Sequence, residues 1–436
     1  MESLGSKIKR IRKELHITQS QLADKDMTKS MISQIENNIA TPSMKNLKII
    51  ADRLNKPVSF FLDQSNRNVL PLNIINDELK SIDILINKLE YKKAIEKLNL
   101  LLKTYNFSQY GKLNGDILFK LSECLGALNL FHESQENIDK AIKIYENNQL
   151  FSDAAMAQME KINRYVKEYD YKTCLDILDV AMDKYNQSII KNYFFELNYL
   201  YLKAMINSSL GNFENAIILL NDAIRLSKEK HIYYNSDMIY QTLACINLIN
   251  NNNKLFLYNI KKAKQFSVFT EDNFRLSLIN INYAQYENIN DKPTKALEYL
   301  TEVKSERKDL LIFYMIEKAK ANYLLKNYKM SLDLFNKINY KDTNTWYLHK
   351  HDYLFMWSAK IYHGLALMKI GNLDDALIEM KIGISKLEVF ENSIYHIFAY
   401  KSISELYNLM HNYKAAFKYL KLANTMESFL KELPFK

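Results

Sequence analysis

An internal rhythm of about forty residues constrains this chain more than any other feature of it. A small residue, three after an aromatic or apolar one and seven before an apolar or small one, recurs at Ala94, Ser134, Cys174, Ala216, Ala296, Ser331, Ala376 and Ala416. Phe256 takes the corresponding place in one unit, and the intervals along the series are 40, 40, 42, 40, 40, 35, 45 and 40. A second column lies twelve residues upstream from the second unit on, at Ser122, Ile162, Ala204, Ala244, Ala284, Ala319, Gly364 and Ser404. All but Ile162 are small. Two helices need small residues where their backbones approach, since a large side chain there would hold them apart. A period of this length marks stacked helical hairpins, each burying on its neighbours a face that it cannot bury alone. Nine hairpins over about 74–432 are expected, with looser packing or a different crossing angle where Ile162 and Phe256 interrupt the columns.

Composition agrees with an all-α chain. Only 8 glycines and 5 prolines in 436 residues leave few of the turns that strands require. Cys124, Cys174 and Cys245 are far apart, without metal-ligand spacing, and read as buried thiols in a reducing compartment. With no signal-peptide pattern and no window of roughly 20 apolar residues, the expectation is a soluble, cytoplasmic protein with no membrane partner.

The first 63 residues have a different organisation. Leu4, Ile8, Ile11 and Leu15 step along one face of a helix whose back carries Lys7, Lys9, Arg10 and Lys13. Thr18 with Gln21 forms a capping box for a short second helix, and a third begins near Thr28. That third helix turns Ile32 and Ile35 inward and Lys29, Ser30, Met31 and Gln34 outward. Pro42-Ser43 starts a fourth helix bearing Leu47, Ile50, Ala51 and Leu54; Pro57 ends it, and Val58–Leu62 forms a fifth. Eleven Lys or Arg stand against seven acids here, so +4 of the chain's net +9 sits on this segment. Short polar side chains on the leading turns of an exposed helix suit the reading of base edges in a major groove. Residues 64–73, with Pro71, break the helical periodicity and read as a linker to a repeat domain at 74–436.

These residues carry two resemblances. The runs IKRIRKELHITQSQLAD, SMISQIENN and TPSMKNLKIIADRLNKPVSFFL resemble the lambda-repressor-like, Xre-type helix-turn-helix domain. That resemblance implies DNA contacts by Gln19, Thr28, Lys29, Ser30, Met31, Gln34 and Asn37, with Ser43 and Lys45 beside them, and an internal pair between Arg12 and Glu36. Between Leu22 and Ser30 the chain is one residue shorter than the family's usual turn and lacks its glycine. The unit YLYLKAMINSSLGNFENAIILLNDAIRLS resembles a tetratricopeptide repeat, with Leu210, Gly211, Phe213, Ala216 and Ala223 in its pattern. Nine degenerate units of this kind imply a right-handed superhelix with a concave face built mainly from the first helix of each hairpin.

An Xre-type domain ahead of nine such repeats resembles the RRNPP family of quorum-sensing receptors, on its NprR- and PlcR-like branch. The resemblance implies a homodimeric or larger transcriptional regulator that binds double-stranded operator DNA and responds to a short signalling peptide in its groove. Candidate peptide contacts are Asn163, Arg164, Asn198, Tyr201, Asn207, Gln241, Asn247, Gln285, Asn288, Asn322 and Tyr323. Side-chain amides offer a donor and an acceptor together, so a ladder of them can satisfy an extended ligand's peptide bonds. Two alternatives share the architecture: a Rap-like module that sequesters a response-regulator protein, and a phage-type peptide-responsive regulator. Catalysis, a cofactor and a metal are not expected. His349 and His351 are spaced i, i+2, so they do not share a helix face, and no third ligand accompanies them.

Overall fold

A left-handed residue at a fixed place in every hairpin, and small residues where paired helices touch, set the architecture. The computed structural model describes residues 3–23, 27–62, 71–304, 308–340, 350–390 and 393–432. The regular elements among them are helices. Contacts group the chain into two units, Met1–Tyr110 and Gly111–Lys436. Of the expected linker, 64–70 lie outside the described residues.

The first unit opens with α1 (Leu4–Glu14), α2 (Gln19–Leu22), α3 (Lys29–Glu36), α4 (Met44–Arg53) and α5 (Val58–Leu62). Four hydroxyl side chains start the first four helices: Ser3, Thr18, Thr28 and Ser43 each accept from the backbone N–H three residues on. At α2 the Gln21 side chain returns the bond and completes the capping box. Ile8, Ile11, Leu22, Ile32, Ile35, Leu47, Ile50, Ala51, Leu54 and Phe61 fill one core. Met27, which periodicity does not single out, is fully buried among them. Leu15 departs from the expected buried face: it is the C-cap of α1, where the helical phase ends, and is 44% exposed. This unit also contains the first hairpin, α6 (Leu72–Asn87) with α7 (Tyr91–Thr104).

Eight more hairpins make up the second unit. They pair α8 (Gly111–Ala127) with α9 (Phe131–Asn147), α10 (Phe151–Glu160) and α11 (Ile162–Lys167) with α12 (Tyr171–Tyr185), and α13 (Tyr193–Ser209) with α14 (Phe213–Lys230). Then come α15 (Ser236–Ile249) with α16 (Asn253–Phe269), α17 (Asn273–Ile289) with α18 (Pro293–Thr301), and α19 (Lys308–Leu324) with α20 (Tyr328–Asn336). The last two are α21 (Lys350–Lys369) with α22 (Leu373–Leu387) and α23 (Ile394–Leu409) with α24 (Tyr413–Glu432).

The two small columns meet inside the hairpins. Ser134 Oγ donates to Ser122 O at 2.8 Å, Ser331 Oγ to Ala319 O at 2.9 Å, and Ser404 Oγ to Ala416 O at 2.8 Å. A Cβ on Gly364 would fall 2.5 Å from Met380 Cγ and 3.0 Å from Ala376 O. The two interruptions are absorbed differently. At Ile162 the first helix is interrupted, and α10 gives way to α11 across Lys161. Phe256 is not loosely packed, because its ring is fully buried and stacked on Tyr286 at 4.7 Å.

Each hairpin turns through a residue with positive φ five positions before the small anchor: Leu89, Asn129, Tyr169, Gly211, Asn251, Asp291, Lys326, Gly371 and His411. The next backbone N–H closes back on the carbonyl five residues earlier, as in Asn327 N to Asn322 O at 2.8 Å. The left-handed region costs a residue with a Cβ about 1–2 kcal/mol, partly offset in glycine by its greater chain entropy. Lys326 is exposed, so Lys326→Gly is expected to stabilise the protein by about 1 kcal/mol in urea titrations, with no effect on the helical circular dichroism.

Candidate functional sites

On α3, packing of Ile32 and Ile35 into the core leaves Lys29, Ser30, Met31 and Gln34 exposed, with Thr28 exposed as the N-cap. Five of the expected contact residues thus lie together on and before one helix face. Asn37 is also exposed, at the C-cap, and its Oδ1 accepts from Lys9 Nζ at 3.2 Å. Ser43 caps α4 by accepting from Asn46 N at 3.2 Å, and Lys45 is exposed on that helix. Gln19 is half-buried, and its amide donates to Glu36 Oε2 at 2.8 Å, so its nitrogen faces the interior partner.

Glu36 is the electrostatic centre of this unit. Arg12 grips it with two bonds, Nε to Oε1 at 2.5 Å and Nη2 to Oε2 at 2.9 Å, while its third donor meets Ile17 O at 2.7 Å. The carboxyl is buried. Burial pushes its pKa up, but bonds from Arg12 and Gln19, with the charges of Arg12 and Lys9, outweigh that and hold it below its ordinary value. The pair ties α1 to the C-terminal end of α3, fixing the helix whose exposed face carries Lys29 and Gln34.

The second unit contains a cavity of about 570 Å³. Its walls come from the first helices of six successive hairpins, α13, α15, α17, α19, α21 and α23. Gln241, Asn282, Gln285 and Asn288 present amides to it, among Met238, Ile246, Phe274, Leu278, Phe313, Phe355 and Phe398. Asn282 and Gln285, three apart on α17, share a helix face. Gln241 Nε2 donates to Asn282 Oδ1 at 2.7 Å, joining neighbouring hairpins. Asn288 donates to Glu317 Oε2 at 2.6 Å and to Glu317 O at 3.0 Å, and its own Oδ1 is buried without a partner. Lys320 answers Glu317 at 3.1 Å and lies over the rings of Phe355 and Tyr362.

Of the expected peptide contacts, Tyr201, Gln241, Gln285 and Asn288 line this cavity. The others are placed elsewhere. Asn207, Asn247 and Asn322 each donate to the carbonyl four residues back on their own helix, Lys203 O, Leu243 O and Lys318 O, at 2.7–2.8 Å. Asn163 bonds Glu160, and Arg164 pairs with Glu168 at 3.0 Å on the surface. Tyr323 packs on Tyr328 and Tyr362, and Asn198 is half-buried on α13. Repeat counting did not anticipate Arg275, Asn282, Glu317, Lys320, His351, Asp352 or Tyr395. For Asn282, the signal was its i, i+3 relation to Gln285.

His349 lies outside the described residues. His351 meets Ser208 O at 3.3 Å and stacks on Phe213, and burial pushes its pKa down to about 4. Cys124 and Cys174 are buried, and Cys245 lines the cavity. Among the described residues no cluster of three or more His, Cys, Asp or Glu is placed to hold a metal, and no helix is long and apolar enough to cross a membrane.

Residues 8–61 match the family model Helix-turn-helix. No curated protein sequence matches the chain. Among solved structures, it is similar to Bacillus thuringiensis PlcR in complex with the peptide PapR7 and DNA, at 20% identity over 62% of this chain and 96% of that one, with a TM-score of 0.38. NprR in complex with its cognate peptide NprX matches at 15% identity over 71% and 92%, with a TM-score of 0.45. A Rap protein complexed with Competence and Sporulation Factor matches at 12% identity over 98% and 99%, with a TM-score of 0.37.

Removing one member of a buried, bidentate pair leaves the other charged and unpartnered, typically at a cost of about 3–5 kcal/mol. Arg12→Met is therefore expected to lower the stability of the N-terminal unit by about 3 kcal/mol at pH 7. Because the folded pKa of Glu36 is depressed, the native pair's contribution is present above the ordinary carboxylate range and is lost as pH falls through the folded value. Denaturant melts of wild type and variant must converge in acid; a gap independent of pH would assign the loss to packing.

Proposed function

We propose that this protein is a transcriptional regulator that binds operator DNA through its helix-turn-helix and whose activity is set by a short peptide held in the cavity of its repeats. The observation that carries the reading is the cavity, whose amides and apolar walls suit an extended peptide. Its volume falls within the roughly 300–1,000 Å³ of small-ligand pockets, which favours a short peptide over a folded protein partner. The match at 8–61 and the exposed polar face of α3 support the DNA-binding half. In this reading residues 1–63 bind DNA, the stretch up to Pro71 links, the hairpins from α6 onward sense the peptide, and two copies present paired recognition helices to an inverted repeat. Peptide binding acts by favouring one arrangement of those helices over another.

Two measurements test the halves separately. Gln34→Ala is expected to relax selection at one or two operator positions, by about 1–3 kcal/mol of discrimination, whereas Lys29→Ala reduces the salt dependence of binding. Uniform weakening by Gln34→Ala across all sequences would make it a positioning contact, and footprints on a single half-site would count against the dimer. For the sensor, calorimetry with short secreted peptides from the host is expected to find one that raises thermal stability. If none does while a response-regulator protein binds, the sequestering alternative replaces this reading.

A further inference from the structure

Among the described residues four charged side chains line the cavity, and three of them have partners. Glu317 and Lys320 neutralise each other at 3.1 Å. Arg275 lies 3.9 Å from Asp237 and donates to Met238 Sδ at 3.0 Å. Asp352, on the first turn of α21, makes no hydrogen bond or ion pair with any described residue. Among the described residues, the groups that feel its charge bring no cation. Tyr171 of α12, Tyr201 of α13, Cys245 of α15 and Tyr395 of α23 are all pushed up in part by its charge. On its own helix, His351 is neutral at pH 7 and engaged with Ser208 O, and the Lys350 ammonium lies over the Phe390 ring.

A carboxyl left without a partner in a largely apolar cavity detracts from stability while the cavity is empty, because its charge has lost water and gained nothing in return. A packed core residue in that position would be apolar or paired. We propose that Asp352 is the seat for a cationic nitrogen of the ligand, either a peptide α-ammonium or a Lys or Arg side chain, and that this cation selects among ligands of similar apolar fit. The assignment rests on the peptide-receptor reading above. The uncompensated charge makes the choice: Glu317 and Lys320 cancel and Arg275 is partly satisfied, so a ligand gains most by bringing one positive charge to α21.

Burial pushes the Asp352 pKa up to about 7. A cation binds the ionised carboxyl, so its capture favours proton release and strengthens as pH rises. With that pKa, peptides whose cation is a Lys or Arg side chain bind wild type more tightly at pH 8 than at pH 6 by a factor approaching ten, and those that bring only an α-ammonium, which itself loses its proton near pH 8, by a smaller factor of about three to five. In the empty protein the sign is opposite. A carboxyl whose folded pKa is raised contributes a loss that grows as pH passes from the ordinary carboxylate range to about 7. Asp352→Asn therefore melts higher than wild type at pH 8, and the difference closes towards pH 5.

The test uses the full-length protein and synthetic seven-residue peptide mixtures, prepared with and without Lys and Arg and with free or acetylated N-termini. Peptides retained after size exclusion are identified by mass spectrometry at pH 6 and pH 8. Wild type is expected to enrich peptides with a cationic nitrogen, more strongly at pH 8, and Asp352→Asn to lose that enrichment while still retaining peptides by apolar fit. Loss of enrichment on acetylation assigns the seat to the α-ammonium; persistence in acetylated Lys- and Arg-containing mixtures assigns it to a side chain. Wild-type retention without preference for a cation overturns the assignment of Asp352 and leaves the receptor reading standing. Retention of no peptide by wild type overturns the receptor reading, and this assignment with it. The acetylation arm requires no variant, so the outcome does not depend on how Asp352→Asn folds.

Discussion

Every hairpin of the repeats depends on one close approach, between a residue near the middle of its first helix and another twelve positions later in its second. Except at Ile162 and Phe256 the side chains of these columns are small, and in three hairpins a hydroxyl of one helix reaches a carbonyl of the other, as Ser134 reaches Ser122 and Ser404 reaches Ala416. With that contact fixed, the outer face of each first helix is committed to its neighbours and to the space enclosed between them. The cavity follows from this commitment. Its walls come from the first helices of six successive hairpins.

The polar groups inside the second unit divide into those that close on themselves and those that do not. Asn207, Asn247 and Asn322 spend their amides on their own helices. Gln241 with Asn282, and Asn288 with Glu317, join one hairpin to the next across the cavity wall. Such bonds between repeats are adjustable, since a ligand amide can replace either partner at little net cost. In the N-terminal unit the corresponding bond is not adjustable: Glu36 is buried and held by Arg12 and Gln19, so the helix it anchors is fixed in place.

The hairpin count and the register were legible because they depend on side-chain size at fixed spacing, which a sequence records directly. So were the helix starts at Thr18, Thr28 and Ser43, where a hydroxyl stands ahead of an apolar period. Ligand contacts were less so. An asparagine repeated every forty residues has the same spacing whether it faces a ligand or bonds the carbonyl one turn back, and only the side-chain direction separates the two. Asp352 was illegible for another reason. The interval of 45 residues between Ser331 and Ala376 adds chain ahead of α21, so spacing could not set the phase of its first turn. Met27 escaped in the same way, since it lies outside any helical period.

The nine hairpin turns share a backbone shape and almost no chemistry. Leucine, asparagine, tyrosine, aspartate, lysine, histidine and glycine all occupy the left-handed position, and neither proline nor any β-branched residue does. What is enforced there is an exclusion: side chains forked at Cβ, and rings closed onto the backbone nitrogen, are kept out, and nearly everything else is admitted. A repeat governed by exclusion can drift in sequence at its corners while its helices stay in register. That latitude leaves nine turns of one backbone shape in which only asparagine and glycine occur more than once at the left-handed position.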